Sequence, residues 1–260
     1  MPAPRRENLK SVSLVIPVYN EERHLLDFLH AIDNAKFKLR KELIFINDGS
    51  RDKTSEIIRN FKFKSKILFI DEKVNAGKGA AIRKGILAAS GDIIGIQDAD
   101  FEYQIADIPK IIDLLLPGDC DVVYGSRFSK LNPQVHRTFH YLVNRILTMI
   151  SNILSGLYVS DMETCYKFFR REILQNVNLK SQRFGFEPEI TAKIARLKIR
   201  VKETPISYFP RNYMEGKKIT WKDGVAALWH LMYFNVFAVK KKFFTQNMPE
   251  KYLTRKTQWL

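Results

Sequence analysis

The first half of the chain alternates short runs of branched residues with segments whose apolar residues recur at helical spacing, and that alternation leaves few folds open. The runs at 13–18, 42–47, 66–71, 92–97 and 121–125 read as buried strands. Between them, Leu25, Leu26, Phe28, Leu29 and Ile32 fall at helical spacing, and segments 54–61, 77–89 and 108–116 repeat the pattern. Strand followed by helix, several times over, predicts an α/β fold with a mostly parallel sheet covered on both faces. Past Arg127 the pattern changes. Residues 136–157 read as a long amphipathic helix, 187–197 as another and 199–208 as a last strand. No repeat or low-complexity linker interrupts the 260 residues, so the expectation is one Rossmann-like domain with C-terminal amphipathic helices.

Charge narrows the partners. The chain carries 43 Lys and Arg against 28 Asp and Glu, a formal +15, which implies attraction to something anionic. Its two cysteines, Cys120 and Cys165, build neither a disulfide framework nor a four-cysteine zinc site, and a reducing compartment suits them. Cys165 reads as a small buried filler. Residues 1–10 hold no apolar stretch of the signal-peptide kind, and the apolar run 225–239 is shorter than the roughly 18–20 residues needed to span a bilayer.

In an open parallel sheet, ligands sit beyond the carboxyl ends of the strands. The polar punctuation falls there: Tyr19-Asn20-Glu21 after the first strand, Asp48-Gly49-Ser50 after the second, Asp98-Ala99-Asp100 after the fourth and Arg127 after the fifth. Two carboxylates one residue apart suit a hard divalent cation that also binds substrate phosphate, although the spacing alone equally fits an acidic surface turn. Gly77-Lys78-Gly79 lacks the spacing of a phosphate-binding GxxxxGK[ST] loop; it is either a turn opening a helix or a donor contact made by Lys78 and Arg83. Arg127 and Arg137 bracket a loop-like segment, and guanidinium groups suit two meeting anions because they stay charged and grip phosphate with two prongs.

Ser13-Leu14-Val15-Ile16-Pro17-Val18-Tyr19-Asn20-Glu21-Glu22, Ile46-Asn47-Asp48-Gly49-Ser50, Asn75-Ala76-Gly77-Lys78-Gly79 and Asp98-Ala99-Asp100 stand in an order that resembles inverting family 2 glycosyltransferases of GT-A fold. Gly125-Ser126-Arg127, 161–171 and Gly185-Phe186-Glu187 extend the likeness over about residues 11–220, and within the family the chain is most similar to polyprenyl-phosphate sugar synthases of the dolichyl-phosphate mannose synthase type. The resemblance implies a GT-A domain at 11–220, preceded by a tail at 1–10 and followed by an amphipathic, basic extension at 221–260. It implies that Pro17, Tyr19, Glu21, Asp98 and Ala99 shape the nucleotide-sugar pocket, that Asp48 holds base or ribose, and that Asp98, Asp100 and Glu102 surround Mg²⁺ or Mn²⁺ and the diphosphate. Arg127, Arg137 and Arg211 would face the acceptor phosphate.

The expected reaction is hexose transfer from a nucleotide-diphosphate sugar, GDP-mannose or UDP-hexose, to a polyprenyl phosphate at the cytoplasmic membrane face. A family 2 enzyme acting on a sugar hydroxyl would instead need a general base, for which Glu187 or Glu189 is available. A nucleic-acid partner is not expected, because an acidic cluster stands at the mouth of the sheet and no recognised binding motif occurs. Core packing is the default for 142–157 and 225–239. The second is followed by Lys240-Lys241-Lys242, with Lys251, Arg255 and Lys256 beyond, and with Trp229 and Tyr233 it also fits a helix lying peripherally in an anionic membrane surface.

Overall fold

The computed structural model describes residues 8–128, 138–183, 185–209 and 221–254. Seven strands, β1 Ser11–Val18, β2 Arg40–Asp48, β3 Lys66–Glu72, β4 Ile93–Ile96, β5 Val122–Ser126, β6 Lys167–Arg170 and β7 Val201–Pro205, form one sheet in the order β3-β2-β1-β4-β6-β5-β7. Every pairing is parallel except those of β6, which runs antiparallel between β4 and β5. The helices are α1 Leu25–Asn34, α2 Thr54–Asn60, α3 Lys78–Ala88, α4 Ile108–Leu115, α5 Thr138–Ser155, α6 Arg171–Leu174, α7 Phe186–Ile194 and α8 Trp221–Met232.

The pattern works as the residues dictate. β1 lies inside the sheet and buries Val12, Leu14, Val15 and Ile16 completely, so it reads as a continuous apolar run rather than an alternation. α1 turns Leu25, Phe28, Leu29 and Ile32 onto the sheet, and α4 does the same with Ile108, Ile111, Ile112 and Leu115. Each such side chain contributes about 1.5–3 kcal/mol on burial. The parallel order sends the ends of β1, β2, β4 and β5 to one rim, and the loops that follow them carry the polar motifs.

β6 is the strand that sequence pattern does not reveal. Its four residues, Lys167-Phe168-Phe169-Arg170, are all buried, and charged ends on so short a run hide a strand from any apolar count. The Lys167 ammonium is satisfied by the carbonyls of Met162 and Thr164, and Arg170 reaches the Cys120 carbonyl at 3.3 Å. Buried cations persist only when paired in this way.

At the C-terminal end α8 runs into a π-helical turn at Tyr233–Phe237, then an exposed 3₁₀ turn at Lys240–Lys242. The chain then folds back: the Phe243 carbonyl accepts from the Asn178 N–H at 2.8 Å, the Tyr252 carbonyl accepts from the Lys198 N–H at 2.7 Å, and Phe243, Met248 and Tyr252 are buried. Lys251 pairs with Glu172 at 2.6 Å while remaining half exposed, so this part of the basic extension is tied to the domain. Arg255 and Lys256 lie outside the described residues. Among the described residues, no helix is long and apolar enough to cross a membrane.

Core packing accounts for one face of α5, where Leu147 is buried and Val143 and Ile150 pack against the core. The helix packs along α8, yet Leu142, Ile146, Met149 and Ile153 form an exposed stripe at helical spacing, with Ile153 74% exposed. Val225, Leu228 and Trp229 on α8, then Val236, Phe237 and Val239, are exposed beside them.

Candidate active site

The rim is assembled first from backbone. After β1, Asn20 adopts a left-handed φ of 52°, its N–H donates to Ser50 Oγ at 2.9 Å and its Oδ1 accepts from the Arg51 N–H at 2.8 Å. The Glu21 N–H donates to Thr54 Oγ1 at 2.9 Å. These bonds hold Tyr19 and Glu21, both half-buried, on a loop pinned to the turn after β2, with half-buried Pro17 just behind. Asp48 also has a framing role within the protein. Its Oδ1 accepts from the Ala76 N–H at 2.8 Å and its Oδ2 from the Gly77 N–H at 2.7 Å, while the side chain is almost wholly buried. Asp48 therefore frames the loop before α3, with each oxygen accepting one backbone N–H.

The glycines of Gly77-Lys78-Gly79 are explained by the same framing. The Gly79 N–H donates to the Arg183 carbonyl at 3.2 Å and the Ala80 N–H to the Gln182 carbonyl at 3.0 Å. A Cβ at Gly79 would stand 2.5 Å from the Ser181 carbonyl oxygen, and Gly77 has a φ of 96° besides. The glycines thus admit the 181–183 backbone, and these two N–H groups at the start of α3 are already spoken for by protein carbonyls. Arg83 braces the same stretch, donating to the Leu179 carbonyl at 3.4 Å, and does not join the acidic residues.

Lys78 does join them. Its ammonium lies 2.8 Å from Asp98 Oδ2, 3.6 Å from Cys165 Sγ and 3.9 Å from Glu187 Oε1. Burial alone would lower this amine, but Asp98, then Cys165 and Glu187, outweigh it and raise it well above its ordinary range, so Lys78 stays charged. Burial keeps Cys165 a thiol, as a filler should be. Ala99 is buried in the core cluster. Asp100 Oδ1 accepts from the Glu102 N–H at 3.1 Å, and the next residue, Phe101, takes a left-handed φ of 57° with its ring edge-on to Phe28.

The three-carboxylate metal site implied at Asp98, Asp100 and Glu102 is not what the side chains form. Glu102 Oε2 accepts from the Tyr208 hydroxyl at 2.9 Å, Asp98 is paired with Lys78, and among the described residues no three Asp, Glu, His or Cys side chains converge as a metal cage. The donor set still fits Mg²⁺ or Mn²⁺ in its commoner form, one or two hard carboxylates supplemented by substrate phosphate and water, and Asp100 could serve as one of them.

Across the rim, Arg127 is locked in place. Nε and Nη2 donate to the two oxygens of Asp161 at 2.7 and 2.8 Å, the Arg127 N–H donates to Asp161 Oδ2 at 3.0 Å, and the rings of Tyr208 and Phe128 lie 5.1 and 5.3 Å from the guanidinium carbon. Burial would lower this guanidinium, and Asp161 more than restores it. Two prongs go to protein, so Arg127 cannot offer the two-pronged phosphate grip expected of it while that pair stands. Arg137 and Arg211 lie outside the described residues.

Between Lys78 and Arg127 stand groups to which sequence reasoning gave no role. Glu163 buries Oε1 without a hydrogen-bond partner, and burial followed by the nearby Glu187 carboxylate pushes its carboxyl from an ordinary 4.5 to about 7. The Lys167 amine below it is lowered by burial, an effect that Glu187 and Glu163 oppose. Glu189, a candidate base by sequence, is excluded by its contacts: its oxygens accept from the Lys180 and Ser181 N–H groups at 2.8 and 2.7 Å, and Lys193 pairs with it in the interior. Asp161, Tyr208 and Glu203, which surround Arg127, carry no role in the sequence reading either; the signal available was the position of Asp161 at the head of a motif.

With this geometry in place, comparisons identify the lineage. Residues 13–177 match the sequence profile of glycosyl transferase family 2. A dolichyl-phosphate β-glucosyltransferase of Trichomonas vaginalis is 32% identical over 225 residues, covering 80% of this chain and 68% of the relative. An undecaprenyl-phosphate 4-deoxy-4-formamido-L-arabinose transferase of Aeromonas hydrophila is 30% identical over 230 residues, covering 87% and 67%. A dolichol-phosphate mannosyltransferase of Pyrococcus furiosus is 30% identical over 209 residues, covering 79% and 58%. Among solved structures, glucosyl-3-phosphoglycerate synthase of Mycobacterium tuberculosis, crystallised with Mn²⁺, UDP and phosphoglyceric acid, superposes with a TM-score of 0.65 over 89% of this chain and 81% of that one, at 19% identity. The sheet order, the strand-end motifs and the profile agree that the chain has the GT-A fold and belongs to glycosyl transferase family 2.

Proposed function

We propose that this enzyme transfers a hexose from a nucleotide-diphosphate sugar to a polyprenyl monophosphate, with inversion, at a membrane surface. An acceptor phosphate oxygen attacks the anomeric carbon as the bond to the donor diphosphate breaks. A phosphate monoester has its second pKa near about 6, so the nucleophile arrives ionised and needs alignment rather than a base. The observation that carries the reading is Arg127, a permanently charged group at the end of β5, across the rim from Asp98 and Asp100. The named acceptors of the relatives support it, since polyprenyl phosphates recur among them.

Lys78 would steady the donor diphosphate from the α3 side, and Asp100 would hold a divalent cation there. When bound, such an ion neutralises charge on the leaving nucleoside diphosphate. The exposed stripes of α5 and α8, beside the exposed Lys240–Lys242 turn, support a peripheral seat on an anionic bilayer, with apolar side chains entering and lysines meeting headgroups. On this reading 11–220 does the chemistry, and residues 221–242 present it to the lipid.

The test is incubation of the purified protein with GDP- and UDP-sugars, Mn²⁺ and a short polyprenyl phosphate in anionic vesicles. One donor should be consumed and a lipid-linked hexose formed. Donor consumption only when a sugar hydroxyl acceptor is supplied would replace this reading with polysaccharide synthesis.

A further inference from the structure

We infer that Asp161 is a positioning residue for Arg127 in sugar transfer and that Glu203 in turn fixes Asp161; the inference rests on the acceptor-side role proposed for Arg127. A guanidinium has five N–H donors on a long, rotatable stem, so the geometry it offers depends on what holds it. Asp161 takes Nε and Nη2 at 2.7 and 2.8 Å, and Tyr208 and Phe128 cover the group. Nη1 is the one guanidinium nitrogen with no partner among the described residues. An arginine held along one edge and covered by aromatic rings presents its remaining donors in a set direction, which is what alignment of an ionised nucleophile requires. Asp161 is itself fully buried and out of reach of any ligand.

The hold extends one layer further. Both Glu203 oxygens accept from the Ser160 N–H, at 2.9 and 2.8 Å, and Oε1 also accepts from the Asp161 N–H at 3.3 Å. Ser160 Oγ meets Ser126 Oγ at 2.6 Å, which ties the same turn to the residue before Arg127. A carboxylate on β7 therefore sets the backbone that carries Asp161, and Asp161 sets the arginine. Supporting partners of this kind shape a site without touching substrate.

A merely structural ion pair would move stability alone, so the test reads acceptor kinetics. Single-turnover transfer and acceptor and donor KM are measured for Arg127→Ala, Asp161→Asn, the double variant and Glu203→Gln, with thermal unfolding alongside. Asp161→Asn should slow transfer about a hundredfold and raise acceptor KM with donor KM unchanged. The double variant should be no slower than Arg127→Ala, because Asp161 acts only through that side chain. Glu203→Gln should shift the same two quantities in the same direction by a smaller factor, and it carries the test if Asp161→Asn fails to fold. Multiplying losses in the double variant, or a folded Asp161→Asn or Glu203→Gln with normal acceptor kinetics beside an impaired Arg127→Ala, overturns the inference alone. An Arg127→Ala variant with undiminished transfer overturns the acceptor role beneath it.

Discussion

The proposed donor and acceptor halves of the rim are built by different means. On the proposed donor side, framing rests on backbone: Asp48 and the 181–183 carbonyls hold the loops through backbone N–H groups, while the Lys78 ammonium pairs with Asp98. On the proposed acceptor side, framing and ligand-facing duties coincide. Arg127, buried against Asp161 and covered by Tyr208, holds the structure together with the same group it would offer to a ligand. A divided site lets activity and stability be lost separately, and a merged one does not.

Asp100→Ala should break the donor side cleanly. Transfer should fall by more than about a hundredfold, as when a charge-stabilising group is lost, with stability changed by less than about 1 kcal/mol. Matched single-turnover assays and thermal melts read both. Arg127→Ala should lose both quantities together: transfer about a hundredfold, and stability by about 3 kcal/mol because Asp161 is left buried and unpaired. An Arg127→Ala protein that melts like wild type would erase the contrast. Asp48→Ala should lose about 2 kcal/mol by orphaning the Ala76 and Gly77 N–H groups, with a smaller loss of activity, measured by urea unfolding.

The divided half was also the legible one. Motifs after β1, β2 and β4 follow apolar runs whose pattern places them at strand ends, so the rim and its acidic residues could be read from spacing. What spacing could not reveal was which groups the protein itself consumes. The bonds that Asp48 accepts from Ala76 and Gly77, and that Gly79 gives to Arg183, join segments far apart in sequence and leave no mark in the spacing. The merged half hid because β6 is four residues with charged ends, and because Asp161 and Glu203 come from distant segments that meet only once β6 inserts between β4 and β5. α5 misled for a related reason: a stripe facing solvent has the same period as one facing a core.

The smallest expected effect is a pH slope from Glu163. Its carboxyl is raised from 4.5 to about 7 in the folded protein, so its contribution to stability is present below pH 4.5 and lost as pH rises through about 7. Glu163→Gln should flatten the fall in melting temperature over that window and leave the acid limb below it unchanged. An unaltered slope would show that Glu163 is not the neutral carboxyl standing between Lys78 and Arg127.

The central claim, that the acceptor is an ionised phosphate aligned by a cation, is tested most directly by single-turnover transfer to polyprenyl phosphate in two variants that remain folded by circular dichroism, Arg127→Ala and Glu187→Gln. The glutamate lies against Lys78 rather than Arg127, and an ionised nucleophile needs no base, so the account predicts a severe loss in Arg127→Ala and a much smaller one in Glu187→Gln. A nearly inactive Glu187→Gln beside an active Arg127→Ala would contradict it, since transfer would then depend on Glu187 and not on the cation at the end of β5.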